Sequence, residues 1–357
     1  MFFEFSHLSS IMDSMNNVLA IIVTYNRLEM LKTCVECLKA QTFPCDILIV
    51  DNASTDGTRA WAAGLNSKEA RQIIKGERPE TEQEPKADTV AITATMLWDE
   101  NSMHHVIYEN TGANLGGAGG FNYGMRRSVE MGYTYAWVMD DDAFAEPDCL
   151  EKLMQEALRL GDFGFLASAV LWKDGSLCRM NWQRKYPTPK KRSERHLLES
   201  DLSRDLVRIQ SATFVSALFP TKVICQVGLP IREFFIWCDD IEFTRRITLK
   251  HGLPAYVVSA SRIMHQIKNN EGTNLAMDDA ERIDRYNYAF RNENYMYRQY
   301  GLKGFCYYLV VIGYNTLKVL TKSRDHKLKR LGVIYRNLFK GLSFNPKIEY
   351  PKKITRL

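Results

Sequence analysis

Three consecutive carboxylates, Asp140, Asp141 and Asp142, close an apolar run that begins at Tyr135. Three acidic side chains in one place repel each other unless something positive sits between them. A hard divalent cation with oxygen ligands is the natural occupant, and such a cation often carries a substrate's phosphates as well. The run itself reads as a buried strand of a parallel sheet, and ligands of such sheets bind beyond the carboxyl ends of the strands. Taken alone, the triple Asp is equally well an acidic turn or helix cap ahead of Pro147. Similar groups lie at other element ends: Asp51 after Ile47-Leu-Ile-Val50, then Asp239, Asp240 and Glu242 at the head of a helix, and His265 behind a short strand. Each has an ordinary alternative as a turn residue, a helix cap favoured by the dipole, or a structural histidine. Together, at the mouths of one parallel sheet, they describe a metal–diphosphate site with a spare carboxylate for proton abstraction.

The elements that must position these groups follow from periodicity. Val18–Thr24 is short, apolar and rich in β-branched residues, so it reads as a buried strand. Residues 28–41 place Leu31, Val35 and Leu38 at helical spacing. A second buried strand at 47–50 is followed by the turn 54–57 and a helix over 58–65. This alternation predicts a parallel α/β sheet. Residues 106–108 return as strand, a glycine-rich loop at 114–121 runs into a helix ending near Met131, and further strands are expected at 163–172 and 254–259. Residues 66–99 are polar, with Gly76, Pro79 and Pro85, and read as an insertion; 182–208 reads as a charged surface excursion.

At 357 residues, 45% apolar and 25% charged, the chain can bury a full core as a globular protein. The opening residues lack the basic and apolar regions of a signal peptide, and no run of about 18 apolar residues marks a membrane span, so a cytoplasmic location is expected. Cys34-x-x-Cys37 lies on an amphipathic helix with no second pair and no nearby His pair, so the eight cysteines read as reduced thiols. Charge is uneven: from residue 302 onward there are 13 Lys/Arg against two Asp/Glu, which leaves the body net acidic although the chain is +5. An aromatic, apolar stretch at 304–320 followed by clustered Lys and Arg suits a membrane interface. A packed helical pair and a nucleic-acid-binding tail are the other readings, and nucleic acid is not the expected partner.

Several motifs now stand in order: Ala20-Ile-Ile-Val-Thr-Tyr-Asn-Arg27, Ile49-Val-Asp-Asn-Ala-Ser-Thr-Asp-Gly-Thr58, Asn114-Leu-Gly-Gly-Ala-Gly-Gly-Phe-Asn-Tyr-Gly124, the triple Asp, Phe235-Ile-Trp-Cys-Asp-Asp-Ile-Glu-Phe243, Met264-His265 and Tyr286-Asn-Tyr-Ala-Phe-Arg-Asn292. Over about residues 18–300 the chain resembles the inverting family 2 glycosyltransferases, and within them bacterial galactofuranosyltransferases and related rhamnosyltransferases. The resemblance implies a GT-A fold: a Rossmann-like, mostly parallel α/β sheet flanked by helices, here as a domain over 1–300 with a helical C-terminal extension over 301–357. It implies that Thr24, Tyr25, Asp51, Gly116, Gly117, Asp140 and Asp141 meet the nucleotide-sugar donor. It also implies that Asp140, Asp142 and His265 hold Mn²⁺ or Mg²⁺, the mixed carboxylate–imidazole set favouring Mn²⁺. Asp240 matches the family's catalytic base, with Trp237, Asp239 and Glu242 toward the acceptor.

The implied reaction transfers galactofuranose from UDP-galactofuranose to a glycan or lipid-linked glycan, at the cytoplasmic face of the inner membrane. The alternatives are dTDP-rhamnose-dependent transfer and a catalytically silent nucleotide-sugar or glycan-binding protein. The glycine loop is not a strict GxGxxG, because Asn122 holds the last position, and no GxxxxGK[ST] is present. Both departures count against a nicotinamide dehydrogenase or a P-loop NTPase.

Overall fold

The structure is a computed structural model and describes residues 18–65, 94–98, 105–186 and 196–352. In chain order, β1 (Val18–Thr24) leads to α1 (Leu28–Lys39), and β2 (Asp46–Asp51) leads to α2 (Thr58–Gly64). Strands β3 (Ala94–Trp98) and β4 (His105–Asn110) precede α3 (Gly116–Glu130), and β5 (Tyr135–Asp140) and β6 (Ala143–Ala145) precede α4 (Cys149–Leu160). Next come β7 (Phe165–Trp172), β8 (Arg184–Lys185), β9 (Leu206–Ser211), β10 (Ala217–Pro220), α5 (Thr221–Val227) and α6 (Asp239–Arg245). The chain continues through β11 (Ala255–His265), α7 (Tyr286–Arg298), α8 (Gly301–Lys322) and α9 (Lys327–Ser343).

The main sheet runs β3-β4-β2-β1-β5-β10-β7-β11-β9-β8. Strands β4, β2, β1 and β5 are parallel, as their apolar runs predict. Alternate residues feed two cores. Ala20, Ile22, Ile49 and Trp137 pack with Leu31 of α1 and Leu150 of α4, while Leu19, Ile21, Leu48 and Val138 pack with Phe121 and Met125 of α3. Helix α3 lies close to the sheet because Gly124 has no side chain; a Cβ there would stand 2.4 Å from Ile21.

The structure differs from the sequence expectations in four places. Strand β11 does not stop at 259 but runs to His265 through an irregularity between Val258 and Arg262. The polar Ser259-Ala-Ser-Arg262 hides that continuation, although Ser261 is buried and donates to the carbonyl of Cys149. Strand β3 falls inside the stretch read as an insertion and pairs antiparallel with β4; residues 66–93 lie outside the described residues. The stretch read as a surface excursion supplies β8 and the start of β9, with 187–195 outside the described residues. Finally, α8 and α9 share one apolar core with α7, built from Tyr286, Phe290, Tyr308, Ile312, Val333 and Ile334. The expected boundary at 300 therefore falls within a single packed helical layer. Among the described residues no helix is long and apolar enough to cross a membrane. After α9 the chain folds back on the body, where the Leu229 amide donates to the Glu349 carbonyl at 2.7 Å and Glu349 pairs with Arg126 and Arg232.

Gly116 is fixed by its surroundings. Its φ is +69°, and a Cβ would stand 2.0 Å from the carbonyl oxygen of Phe235, whereas a Cβ on Gly117 meets nothing within 4 Å. Gly116→Ala should cost about 2 kcal/mol or more, from left-handed strain plus overpacking. Gly117→Ala should leave stability unchanged or raise it. Denaturant unfolding of the two variants checks the contrast, and equal stabilities would refute it.

Candidate active site

The carboxyl ends of β1, β2 and β5 lie side by side, with Thr24 in register with Asp51 and Val23 with Asp140. This places the polar residue that closes each apolar run at one mouth. Strand β6 turns back to pair with the end of β11, setting Ala143 opposite His265. The histidine is thereby brought to the triple Asp from a strand more than a hundred residues away.

Asp140, Asp142 and His265 offer ligand atoms that all lie within 4.8 Å of one another. His265 Nε2 is 2.9 Å from Asp142 Oδ1, and its Nδ1 is 2.7 Å from Asn181 Oδ1. An amide oxygen can only accept, so Nδ1 carries a proton and Nε2 is left facing the carboxylates, the orientation a metal-ligating imidazole needs. Asp140 receives no side-chain hydrogen bond among the described residues, and burial with the nearby charge of Asp142 pushes it up to about 7. Burial also opposes the charge on Asp142, but the hydrogen bonds and charges of His265 and Arg27 outweigh it and bring it down to about 2. Burial disfavours the charge on His265, but the hydrogen bonds of Asp142 and Cys178 and the charges of Asp142 and Asp140 outweigh it and push His265 up to about 10. Two carboxylates and an imidazole at this spacing, one carboxylate unsatisfied, fit a divalent cation.

Asp141 faces the other way, as alternation along an extended chain requires. It accepts from Thr24 Oγ1 at 2.7 Å and from Arg27 Nη1 at 2.9 Å, and the same Nη1 reaches Asp142 at 2.7 Å. One guanidinium at the start of α1 thus ties two of the three acids. At the end of β2, Asp51 is fully buried and accepts from Tyr108 Oη, Asn110 Nδ2 and the Ser54 amide. Tyr25 is 44% exposed at this rim. The expected glycine loop is in part a packing device: Gly116 lies on Phe235, its carbonyl accepts from Asn52, and the Ala118 amide donates to the Phe235 carbonyl.

The second acidic group opens α6. Its approach is strained, because Phe235, Trp237 and Cys238 all have φ between 63° and 69°. Left-handed backbone at a non-glycine residue costs about 1–3 kcal/mol and persists only when neighbours impose it. Here they do: Asn292 Nδ2 donates to the carbonyls of Phe234, Ile236 and Trp237 at 3.0, 3.2 and 3.0 Å. Trp237 packs edge-on to Tyr286 at 5.0 Å. Asp239 is buried, and burial with the charge of Asp240 and, further off, Asp140 holds it well above the usual carboxylate range. Burial raises Asp240 to about 6, against the hydrogen bond from the Ile241 amide and the charges of Arg184 and Arg245. Glu242, two residues on, lies on the opposite side of the helix. It is held by Arg246 in a two-point pair at 3.0 and 2.6 Å and lines a separate cavity of about 370 Å³ with Tyr295 and Tyr300. The structure thus gives Glu242 a helix-bracing partner in place of the acceptor-facing position expected from sequence.

Sequence reading passed over Arg27, Asn181, Tyr108 and Asn292 as site residues. Arg27 and Asn292 each end a quoted motif. Nothing local distinguishes Asn181 or Tyr108, whose partners lie 84 and 57 residues away.

Asp140, Asp142 and His265, spaced so that they could hold a cation, thus stand at the mouth of an α/β sheet, with the acidic pair Asp239–Asp240 at the start of α6. The family model for glycosyl transferase family 2 matches residues 19–80 and 88–207. The chain belongs to that family and is a glycosyltransferase of GT-A fold. It is similar to galactofuranosyltransferase GlfT1 of Mycobacterium tuberculosis strain H37Rv, 24% identical over 299 residues, covering 80% of this chain and 84% of the relative. GlfT1 of Mycolicibacterium smegmatis is 23% identical over 304 residues, with the same coverage of each chain. Among solved structures, GalNAc-T7 with UDP, GalNAc and Mn²⁺ superposes with a TM-score of 0.53 at 11% identity, covering 89% of this chain and 54% of that one.

If the triad holds a cation, Asp142→Ala and His265→Ala should each weaken Mn²⁺ binding by tenfold or more, the scale of a lost ligand or orienting partner. Asn181→Ala should weaken it less, by freeing the imidazole. Calorimetric titration of Mn²⁺ reads all three, and unaltered affinity in both ligand variants would reject the site.

Proposed function

We propose that this glycosyltransferase moves galactofuranose from UDP-galactofuranose to a hydroxyl of a bacterial surface-glycan acceptor, by a single metal-dependent displacement that inverts the anomeric centre. The observation that carries the reading is the Asp140–Asp142–His265 triad at the mouth of the sheet, together with the acidic pair Asp239–Asp240 at the start of α6. The choice of sugar draws support from the two galactofuranosyltransferases it is similar to.

In this reading Asp240 removes the proton from the acceptor hydroxyl as that oxygen bonds to the anomeric carbon. The bond from that carbon to the diphosphate oxygen breaks on the opposite face. Asp239, whose protonated form burial favours, donates a hydrogen bond to the acceptor, and Trp237 gives a sugar face an apolar wall. Thr24, Tyr25 and Asp51 line the side where the nucleoside sits, and Gly117, open above its Cα, lets the donor approach the backbone. A Mn²⁺ on Asp140, Asp142 and His265 would supply positive charge to the departing nucleoside diphosphate.

The test is a panel of nucleotide sugars, including UDP-galactofuranose and dTDP-rhamnose, incubated with Mn²⁺ and read as nucleoside diphosphate released. UDP release from UDP-galactofuranose is expected, and release from dTDP-rhamnose alone would redirect the donor. Asp240→Asn should lower turnover by about a hundredfold or more while donor affinity holds. The base acts only when ionised, so wild-type turnover should fall as pH drops through about 6, where Asp240 gains its proton. If Asp239→Asn kills turnover and Asp240→Asn does not, the base is one residue earlier.

We also infer that α8 and α9 rest on an anionic bilayer. Leu302, Val310, Leu317, Leu328 and Phe339 are exposed, Leu328 at 86%. Lys303, Lys322, Lys327, Lys329 and Lys340 lie exposed on the same helices. Apolar side chains interleaved with lysines match the headgroup boundary of an anionic membrane. Deleting these helices would uncover the buried core of α7, so point changes are the cleaner probe. Leu302→Glu, Val310→Glu and Leu317→Glu together should abolish sedimentation with phosphatidylserine-containing vesicles while nucleotide release in solution continues. A wild-type protein that ignores such vesicles at low salt would defeat the idea.

A further inference from the structure

The loop that delivers Asp239 and Asp240 is bent against the preference of its own residues, and the groups that hold it bent come from α7. Asn292 is fully buried, and its amide nitrogen gathers three carbonyls, those of Phe234, Ile236 and Trp237. Its oxygen accepts from Arg291 at 3.0 and 2.9 Å. Arg291 in turn donates to the carbonyls of Glu233 and Phe234, while its guanidinium covers the Phe344 ring at 4.0 Å. Tyr288, one turn earlier, stacks on Phe235 with ring centres 4.8 Å apart. The remaining carbonyl, that of Phe235, is taken by the Ala118 amide of α3. Every carbonyl from 233 to 237 is therefore held by a protein donor, and none is left to relax the turn.

We propose that Asn292 is a positioning residue for the transfer reaction: its side-chain amide fixes the left-handed turn 235–238 and so aims Asp240 at the acceptor hydroxyl. The inference rests on Asp240 being the base. An amide is the group this task needs, because only a side chain with an –NH₂ can donate to several carbonyls while its own oxygen is anchored. Asp at this position would keep the size and the Arg291 contact but present an acceptor to three acceptors. The carbonyls would then turn away, Trp237 and Cys238 would leave the left-handed region, and α6 would start from a different place. The groups around Asp240 that also carry charge are Asp239 and Arg245 on α6 and Arg184 on β8, with Glu293 of α7 beside Cys238 and Arg184. Asn292 touches none of their charged atoms in the described contacts, so its effect passes through the backbone.

The experiment compares wild type, Asn292→Asp and Asp240→Asn, using the nucleotide sugar that the panel selects and Mn²⁺. Asn292→Asp is expected to lower kcat by about tenfold or more, the cost of misplacing a reacting group. UDP affinity in the presence of Mn²⁺, measured by calorimetry, should be unchanged. The acid limb of its pH–rate profile should move to lower pH, because a loosened turn lets water reach Asp240. Wild-type kcat with an unmoved acid limb, beside an inactive Asp240→Asn, overturns the positioning role alone. A fall in kcat that only follows the folded fraction, with the acid limb in place, overturns it too. Full turnover in Asp240→Asn overturns the base reading and this inference with it. If Asn292→Asp does not fold, Arg291→Met at its half-buried neighbour tests the same clasp. A lower kcat with a shifted acid limb supports the role, and an unchanged profile overturns it.

Discussion

Repulsion among the acids at the end of β5 is the constraint around which the molecule is arranged. Asp141 and Asp142 are each only 3% exposed, and water cannot screen them. Arg27 supplies one positive charge to both, and Thr24 and His265 supply hydrogen bonds. These partners come from α1, β1 and β11, so the first helix, the central strand and the last strand must all be in place before the acids can be tolerated. Asp140, whose side chain has no donor among the described residues, is the residual imbalance. A divalent cation there would complete the balance at Asp140 and would take over the His265 nitrogen that now faces Asp142.

The opposite side of the mouth is governed by backbone strain. Phe235, Trp237 and Cys238 hold conformations that bulky L-residues avoid, and they do so because α7 and α3 grip the loop from two directions. The helical layer is thus part of the active site's framework. It also accounts for Gly116, where the carbonyl of Phe235 occupies the space a side chain would need.

Much of the sheet was legible because buried parallel strands are continuous apolar runs, and the polar residue that stops each run marks the mouth. Asp51 and Asp140 were read that way, and the parallel register sets Asp51 beside Thr24 and Asp140 beside Val23. What was not legible depends on distance along the chain. Arg27 finds its acids 114 and 115 residues away, and the far half of β11 is disguised by Ser259 and by Ser261, whose partners are the buried Ser168 and Cys149. Glu242 shows the opposite failing. Its partner Arg246 stands four residues on, at ordinary helical pairing distance. Asn292 was noticed only as the end of a motif; nothing in its own neighbourhood says that it holds three carbonyls of a loop more than fifty residues upstream.

The last described segment has a mechanical consequence. Helices α8 and α9 leave the body next to Arg298, which donates to the carbonyls of Gly341 and Phe344, and the chain is fastened again where Glu349 meets Arg126, Leu229 and Arg232. A segment pinned at both ends transmits torque as well as tension, unlike a tether with one attachment. Any surface that the exposed side of these helices rests on would therefore hold the mouth of the sheet at one tilt and one height. With Asp240 as the proposed base, reach to an acceptor would then be set by rigid geometry, and only hydroxyls within a narrow band above that surface would come level with it.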